Sequence, residues 1–257
     1  MANKSVPDSL RTFFQNHPKL ALAFSGGTDS SYLLYAALAS GVDVKPYYAS
    51  TEFQPAFELE DARRLARELG AELTVLNYDV LRHEEVAQNP SDRCYHCKRA
   101  LFTHLLAEAR ADGYEKLMDG TNATDDAGDR PGMRALRELG VLSPLRICGI
   151  GKAEIRALSK EAGLFTWEKP AYACLATRVP SGTRIDPETL QKVERAEAAL
   201  FRMGFTDFRV RVLGRAAKLQ MPKAQLTEAA ARAGAIREAL AGDFSDVLLD
   251  LKPRGQE

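Results

Sequence analysis

"AFSGGTDSS" (residues 23–31) joins an apolar run that predicts a buried strand, Lys19–Phe24, to an apolar run that predicts a helix from Asp29. Glycines allow backbone conformations that turn several N–H groups towards one point. The start of the helix adds partial positive charge there. The stretch therefore predicts a phosphate socket, although Gly-Gly can also form only a tight turn and Asp29 only cap a helix. The residues expected to form this socket are Ser25, Gly26, Gly27, Asp29 and Ser30.

The order Ser-Gly-Gly-x-Asp-Ser after a first strand resembles the signature of the PP-loop ATP pyrophosphatases. It differs from a Walker loop because no Gly-Lys-Ser/Thr follows. The resemblance implies ATP binding, release of pyrophosphate and Mg²⁺ on the phosphates. "DGTN" (119–122) ends a predicted strand on the side where nucleotides bind in such sheets, so Gly120 and Asp125 are expected at the same rim. The acidic and basic residues that follow, Asp126, Asp129 and Arg130, are expected near it.

Strands and helices alternate through the first half of the chain, which predicts an α/β fold with a Rossmann-like parallel sheet. A small α+β domain of order αββαβ is predicted to follow. We expect an ATP-binding domain at 1–165, a connecting segment at 166–185 and the small domain at 186–257. The strands are predicted at 19–24, 44–51, 72–77, 116–119, 145–147, 208–213, 217–221 and 246–251. The helices are predicted at 29–40, 58–69, 98–111, 152–162, 187–203 and 223–241.

Composition narrows the choice of partners and compartment. Lys plus Arg equals Asp plus Glu at 35 each, so the net charge gives no indication of nucleic acid or membrane. The N-terminus lacks the apolar run of a signal peptide, and no run of apolar residues is long enough to span a bilayer. We therefore expect a cytoplasmic protein without a disulfide framework.

The cysteine pair in "RCYHCK" (93–98) can grip zinc, form a redox disulfide or supply part of an iron–sulfur cluster. In a reducing compartment, metal binding or chemistry is favoured over a stable disulfide. Cys148, after the predicted strand Leu145–Ile147, is expected to act as a small hydrophobe. Cys174 lies in a predicted irregular loop, where active-site residues are common. We therefore predict a metal site with three thiolate ligands, from Cys94, Cys97 and Cys174, and one open coordination position. A [4Fe–4S] cluster would leave one iron free to carry hydrosulfide, but zinc with His96 or water as fourth ligand stays possible.

Six stretches occur in the order and spacing of the LarE family of sulfur transferases, which the chain resembles over most of residues 18–252. They are "AFSGGTDSSYLL", "CYHCKRALF", "DGTNATDDAGDRPGMRAL", "SPL", "KPAYACLATRVPSGT" and "FRVRV". The resemblance implies adenylation of a carboxylate of pyridinium-3,5-biscarboxylate mononucleotide, followed by conversion to a thiocarboxylate. The product belongs to the synthesis of the nickel-pincer nucleotide, the cofactor of lactate racemase.

The family has two sulfur strategies. In one, a single cysteine gives up its own sulfur; in the other, three cysteines bind a [4Fe–4S] cluster that carries sulfide. The sacrificial position aligns with Ala173, beside Cys174, whereas Cys94 and Cys97 stand where the sacrificial type lacks cysteines. The resemblance therefore implies the cluster-dependent kind, supplied by an external sulfide source.

The resemblance also implies roles for several charged residues. Lys98 and Arg178 are similar to basic residues that line the LarE site. Arg209 and Arg211 alternate on one strand face, so both guanidinium groups can clamp an anionic group of the substrate. Glu197 is a candidate metal or substrate ligand, while Gln220 stands where the family often has an acid.

Two other functions stay open: thiolation of a tRNA base by a related PP-loop enzyme, and non-catalytic nucleotide binding with a structural zinc. Nucleic acid is the less favoured partner because the chain has no more basic than acidic residues. The family resemblance also implies a homo-oligomer.

Overall fold

The computed structural model describes residues 6–125 and 131–254 of the 257-residue chain. It divides into two compact units. The first comprises the chain up to Val80 together with Asp92–Lys169; the second comprises Leu81–Ser91 and the chain from Pro170 onward. None of the helices in the described ranges is long and apolar enough to cross a membrane.

Helices and strands alternate from α1 to β3, and further along the chain several helices follow one another. The helices are α1 (Asp8–Gln15), α2 (Thr28–Ala39), α3 (Ala56–Leu69), α4 (Glu84–Ala87), α5 (Arg93–Ala111), α6 (Pro131–Glu138), α7 (Pro144–Ile147), α8 (Lys152–Glu161), α9 (Pro187–Arg202), α10 (Lys223–Ala231) and α11 (Ala233–Leu240). The strands are β1 (Lys19–Ala23), β2 (Asp43–Ser50), β3 (Thr74–Asn77), β4 (Leu117–Asp119), β5 (Arg209–Leu213), β6 (Ala216–Gln220) and β7 (Asp246–Leu249). Short 3₁₀ turns occur at Val80–Arg82, Phe165–Glu168 and Leu175–Arg178.

The first unit is built on a four-stranded parallel sheet of order β3-β2-β1-β4. Successive side chains of a strand point to opposite faces, so the two faces of the sheet carry separate cores. Leu20 and Leu22 join a core with side chains of α1, α2 and α8, whereas Ala21 joins a core with Phe102 of α5 and Leu136 of α6. Helices thus cover both faces, and the predicted α/β class is confirmed.

The second unit contains a three-stranded sheet of order β5-β6-β7, antiparallel between β5 and β6 and parallel between β6 and β7. The turn between β5 and β6 is Gly214-Arg215, with Gly214 at a positive φ of 59° that glycine adopts without strain. Helices α9 and α11 pack beside this sheet. This α+β arrangement follows the predicted order, with one helix divided in two.

The loop Leu81–Ser91 belongs to the second unit although it lies between strands of the first in sequence. Its Asn89 side chain donates to the carbonyl of Pro180 (2.9 Å), and its backbone carbonyl accepts from Gly182 (2.7 Å). The amide of Ile185 donates to the Ala87 carbonyl (2.7 Å). The chain therefore enters the second unit, leaves it and returns.

Two predictions near the cysteines are wrong. Leu145–Ile147 is not a strand but part of α7, where Pro144 at the first helical position pre-sets a helical φ. This three-residue stretch, with Arg146 at its centre, is too short for its period to distinguish a helix from a strand. The helix predicted from Lys98 begins at Arg93, because "RCYHCK" holds no glycine or proline to stop it. Cys94 and Cys97 consequently lie inside α5, with the helical residue His96 between them.

The single helix predicted at 223–241 is also wrong, since α10 and α11 are separated at Arg232. The backbone of Arg232 leaves helical geometry (φ −101°, ψ 18°), and its guanidinium donates to the carbonyl of Met203 (2.7 Å). A contact with a residue distant in sequence interrupts a run that is helical by propensity. Sequence analysis also missed α1, α4 and α6.

Candidate active site

The phosphate loop follows β1 and enters α2. Gly26 has φ 70°, and a Cβ atom added there would lie 3.0 Å from the Cβ of Ala62 on α3. Both conformation and space therefore require glycine at this position. Gly27 is the N-cap of α2. The backbone N–H groups of the first helical turn have no partner within the helix and are available to an anion.

The hydroxyl groups of two serines form hydrogen bonds within the loop. The Oγ atoms of Ser25 and Ser30 lie 3.0 Å apart, and the Ser25 amide donates to the Ser30 hydroxyl (3.3 Å). The Gly27 amide donates to Ser25 Oγ (3.3 Å), while Ser30 Oγ donates to the Gly27 carbonyl (3.2 Å). Hydroxyl and amide donors are thereby gathered within one short turn, the arrangement that phosphate-binding loops use.

The end of β4 approaches this loop closely. Ala23 of β1 is paired with Asp119 of β4, so Gly120 follows at the same sheet edge. A Cβ atom added to Gly120 would lie only 2.8 Å from the amide nitrogen of Ser30. Asp119 is buried and accepts a hydrogen bond from Ser143 Oγ (2.7 Å). Glycine at 120 is what allows the backbone to pass against the start of α2.

Asp29, in the first turn of α2, is held by two side chains from other elements. Lys152 Nζ lies 2.8 Å from each of its carboxylate oxygens, and Asn122 Nδ2 donates to it at 3.4 Å. Asp125 accepts from the Asn122 amide (2.8 Å) and so closes the "DGTN" turn. Asn122 thus contacts both Asp29 and Asp125, whereas Asp126, Asp129 and Arg130 fall outside the described residues. Sequence analysis missed Lys152, because its partner Asp29 lies 123 positions away in the chain.

Cys94 and Cys97 lie three residues apart in the first turns of α5, a spacing that places them on one helix face. The Cys94 side chain is exposed and Cys97 half-buried. The Arg93 guanidinium donates to Cys94 Sγ at 3.8 Å. The alkyl chain of Lys98 packs over Gly132, since a Cβ atom there would lie 3.1 Å from Lys98 Cδ. His96 Nε2 lies 3.3 Å from Asp92 Oδ2.

The other two cysteines differ in setting. Cys148 packs against the core of the first unit, and burial raises the pKa of its thiol. Cys174, in the second unit, precedes the 3₁₀ turn and is half-buried. Within residues 6–125 and 131–254, no three His, Cys, Asp or Glu side chains are arranged to hold a metal ion. The free thiols have the ligand chemistry of an iron–sulfur cluster, but the three-cysteine set stays a prediction.

Arg178 and Glu197 form an ion pair in the second unit that is almost fully buried, with 1% and 2% exposure. Arg178 Nε donates to Glu197 Oε1 (2.8 Å) and Nη2 to Oε2 (3.1 Å). Glu197 also accepts from the Tyr172 hydroxyl and from the Val210 amide (3.0 Å). Burial lowers the pKa of Arg178, but the Glu197 carboxylate outweighs it, and the pKa is raised. Burial and then Glu197 raise the pKa of Tyr172.

Arg209 and Arg211 donate to backbone carbonyls on either side of Cys174. Arg209 Nη2 bonds to the carbonyl of Ala171 (2.8 Å) and Arg211 Nη1 to that of Thr177 (2.5 Å). Arg211 Nε also donates to Gln220 Oε1 (2.5 Å).

Arg178 adds a third bond to the same segment, to the Ala173 carbonyl (2.9 Å). Three arginines thus hold the segment 171–178. Glu197 is the buried carboxylate that pairs with Arg178, whereas the carboxylate nearer to Arg209, Asp207, is half exposed and lies 4.0 Å away. Burial, followed by repulsion from Arg178, lowers the pKa of Arg209 to about 10.

The chain is similar to several proteins over most of its length. It is 37% identical over 228 residues, 88% of this chain and 84% of the other, to an uncharacterized protein of Synechocystis sp.. It is 33% identical over 81% of this chain to the pyridinium-3,5-bisthiocarboxylic acid mononucleotide synthase of Lactiplantibacillus plantarum, covering 76% of that protein. A tRNA-specific 2-thiouridylase of Thermotoga petrophila is 26% identical over 59% of this chain and 54% of its own. No protein-family model matches the chain.

Proposed function

This chain belongs to the LarE family of ATP-dependent sulfur transferases, and from that premise we propose that it inserts sulfur into pyridinium-3,5-biscarboxylate mononucleotide. The reaction would serve synthesis of the nickel-pincer nucleotide, the cofactor of lactate racemase. The observation that carries the proposal is the phosphate loop Ser25–Ser30. The hydroxyls of its two end serines are hydrogen-bonded to each other, and the N-terminus of α2 lies within it.

Activation is the first task of such a site. A carboxylate has no good leaving group, so one of its oxygens attacks the α-phosphorus of ATP and pyrophosphate departs, leaving an acyl adenylate. The loop amides and the hydroxyls of Ser25 and Ser30 would bind the phosphates. Mg²⁺ would offset their charge, with Asp29 and Asp125 as candidate carboxylate ligands.

Sulfur transfer is the second task. Hydrosulfide attacks the activated carbon and forms a carbon–sulfur bond. The bond from that carbon to the oxygen of AMP breaks, AMP leaves with the electron pair of this bond, and the proton of hydrosulfide passes to solvent, which leaves a thiocarboxylate. We propose Cys94, Cys97 and Cys174 as ligands of a [4Fe–4S] cluster. When bound, such a cluster supplies an iron without a protein ligand that keeps sulfide nucleophilic.

The arginines of the second unit would serve the substrate. Arg209 and Arg211 bond to carbonyls of the segment that bears Cys174. An anionic group of the substrate would replace these carbonyls as the hydrogen-bond acceptor of the two guanidinium groups. Arg178 and Glu197 hold each other, so we assign them to fixing this segment, with Lys98 left to offset phosphate charge near α5. A cytoplasmic location, an external sulfide source and a homo-oligomer complete the proposal.

The test is AMP formation from ATP with the pyridinium substrate, followed by mass analysis for a thiocarboxylate. Asp29→Ala should abolish AMP formation. An anaerobic count of iron and sulfide tests the cluster separately: zinc without iron would overturn it in favour of a structural metal site.

The similarity to 2-thiouridylases favours one alternative, thiolation of a tRNA base. Equal numbers of acidic and basic residues give it no further support. Binding of tRNA in a filter assay, together with no AMP formation on the pyridinium substrate, would select the alternative.

A further inference from the structure

The phosphate loop has no cation of its own. Residues 25–31 are Ser-Gly-Gly-Thr-Asp-Ser-Ser, and their one charged side chain, Asp29, is negative. A triphosphate brings several negative charges to the same place. Walker-type loops solve this with a lysine inside the loop that reaches the β- and γ-phosphates. Here any cationic side chain for the phosphates has to come from outside the loop.

Lys152 brings an ammonium group to this point from α8. Its Nζ atom lies 2.8 Å from both carboxylate oxygens of Asp29, two residues into α2. The Lys152 side chain is 35% exposed and that of Asp29 is 23% exposed. The ammonium is therefore close to the helix start yet still open to a ligand.

The backbone of Lys152 is held in place by its contacts, while its side chain is partly exposed to solvent. Its amide donates to Thr124 Oγ1 (3.2 Å), and a Cβ atom added to the preceding Gly151 would lie 2.8 Å from Thr124 Cγ2. Glycine at 151 thus lets the start of α8 approach the loop after β4. The first position of a helix is electrostatically unfavourable for a cation. The carboxylate of Asp29 offsets that cost for Lys152.

We infer that Lys152 is the phosphate-binding lysine of this site: it pairs with Asp29 before nucleotide binds and donates to the triphosphate of ATP afterwards. The inference rests on the proposed ATP-dependent function. It assigns to α8, 123 residues along the chain from Asp29, the cation that the loop lacks. A purely structural ion pair of this exposure would contribute little to stability.

Calorimetry with a non-hydrolysable ATP analogue and Mg²⁺ tests the inference. Lys152→Met keeps the alkyl packing and removes the charge, so it should raise the Kd roughly tenfold or more, the loss of a charge-assisted hydrogen bond. Lys152→Arg, which keeps the charge, should bind more tightly than Lys152→Met and also serves if the methionine variant fails to fold. Lys223→Met is the matched control, since Lys223 also opens a helix, α10, and should leave the Kd unchanged.

Three outcomes would overturn the inference. If wild type and Lys152→Met bind the analogue equally, Lys152 does not contact phosphate. If Asp29→Asn restores binding to Lys152→Met, the lysine only neutralises Asp29. If wild type itself binds no nucleotide, the proposed function fails first, and Lys152 loses its ligand with it.

Discussion

Replacing Gly120 with alanine tests whether the close approach of β4 to α2 shapes the nucleotide site. The added Cβ atom would lie 2.8 Å from Ser30 N, 3.1 Å from Ser30 Cα and 3.3 Å from the carbonyl carbon of Asp29. Ordinary contact begins at 3.4 Å, so the two backbones must separate by about 0.6 Å (3.4 − 2.8). The atoms that must yield are backbone atoms of a helix start, which cannot rotate away. Overpacking of this kind costs ~1–3 kcal/mol.

Nucleotide binding should suffer in addition to stability, because the displaced atoms belong to the phosphate loop. Misplacing one backbone N–H group that donates to a phosphate oxygen should raise the Kd for the nucleotide roughly tenfold or more. Urea unfolding and calorimetric titration with an ATP analogue measure the two effects. Gly242→Ala is the control, since a Cβ atom there meets nothing within 4 Å. Normal binding by Gly120→Ala, at unchanged stability, would refute the steric argument.

Three further predictions concern the second unit. Glu197→Gln should lower the free energy of unfolding in urea by ~3–5 kcal/mol, because it leaves the buried charge of Arg178 without a counter-charge; an unchanged unfolding midpoint would contradict this. Cys174→Ala should abolish thiocarboxylate formation and lower the anaerobic iron content while AMP still forms, and normal sulfur transfer would exclude the three-cysteine set. Hydrogen bonds from Lys218 and then Gln220 lower the pKa of Asp250 from 3.8 to about 2, so its contribution to stability is complete above pH 3.8 and disappears as the pH falls towards 2. Asp250→Asn should therefore make the free energy of unfolding depend less on pH between those values. The same pH dependence in wild type and variant would show that other carboxylates cause it.

Much of the first unit could be predicted because its signals are local. Gly70, at φ 69°, ends α3 where the sequence places a glycine cap. The strand periodicity and turn residues around β1 and β2 likewise suffice to place them within one residue at each end. Such features depend on neighbours in the chain, and neighbours can be read from the sequence.

The misplaced features depend on contacts between distant residues. Arg232 interrupts a helical run because its guanidinium bonds to Met203. Lys152 joins Asp29 across 123 positions, and nothing local to either residue indicates the pair. The short run before Cys148 was ambiguous for another reason: three residues do not show a period.

The buried arginines show the same limit for the site. Alternation on β5 correctly suggests that Arg209 and Arg211 share a sheet face, but not that both bond to carbonyls around Cys174. Only the three-dimensional fold of the segment 171–178 supplies those acceptors.

The path of the chain has a practical consequence for anyone who wishes to express the halves separately. Cutting after Lys169 would remove the residues that pair with Asn89 and Ala87, and so would leave Leu81–Ser91 attached to the wrong fragment with its amides and carbonyls bared to water. A self-sufficient second half would instead need this eleven-residue loop supplied by a graft or by reconnecting the termini. Loss of either half by truncation should thus be expected to disturb both.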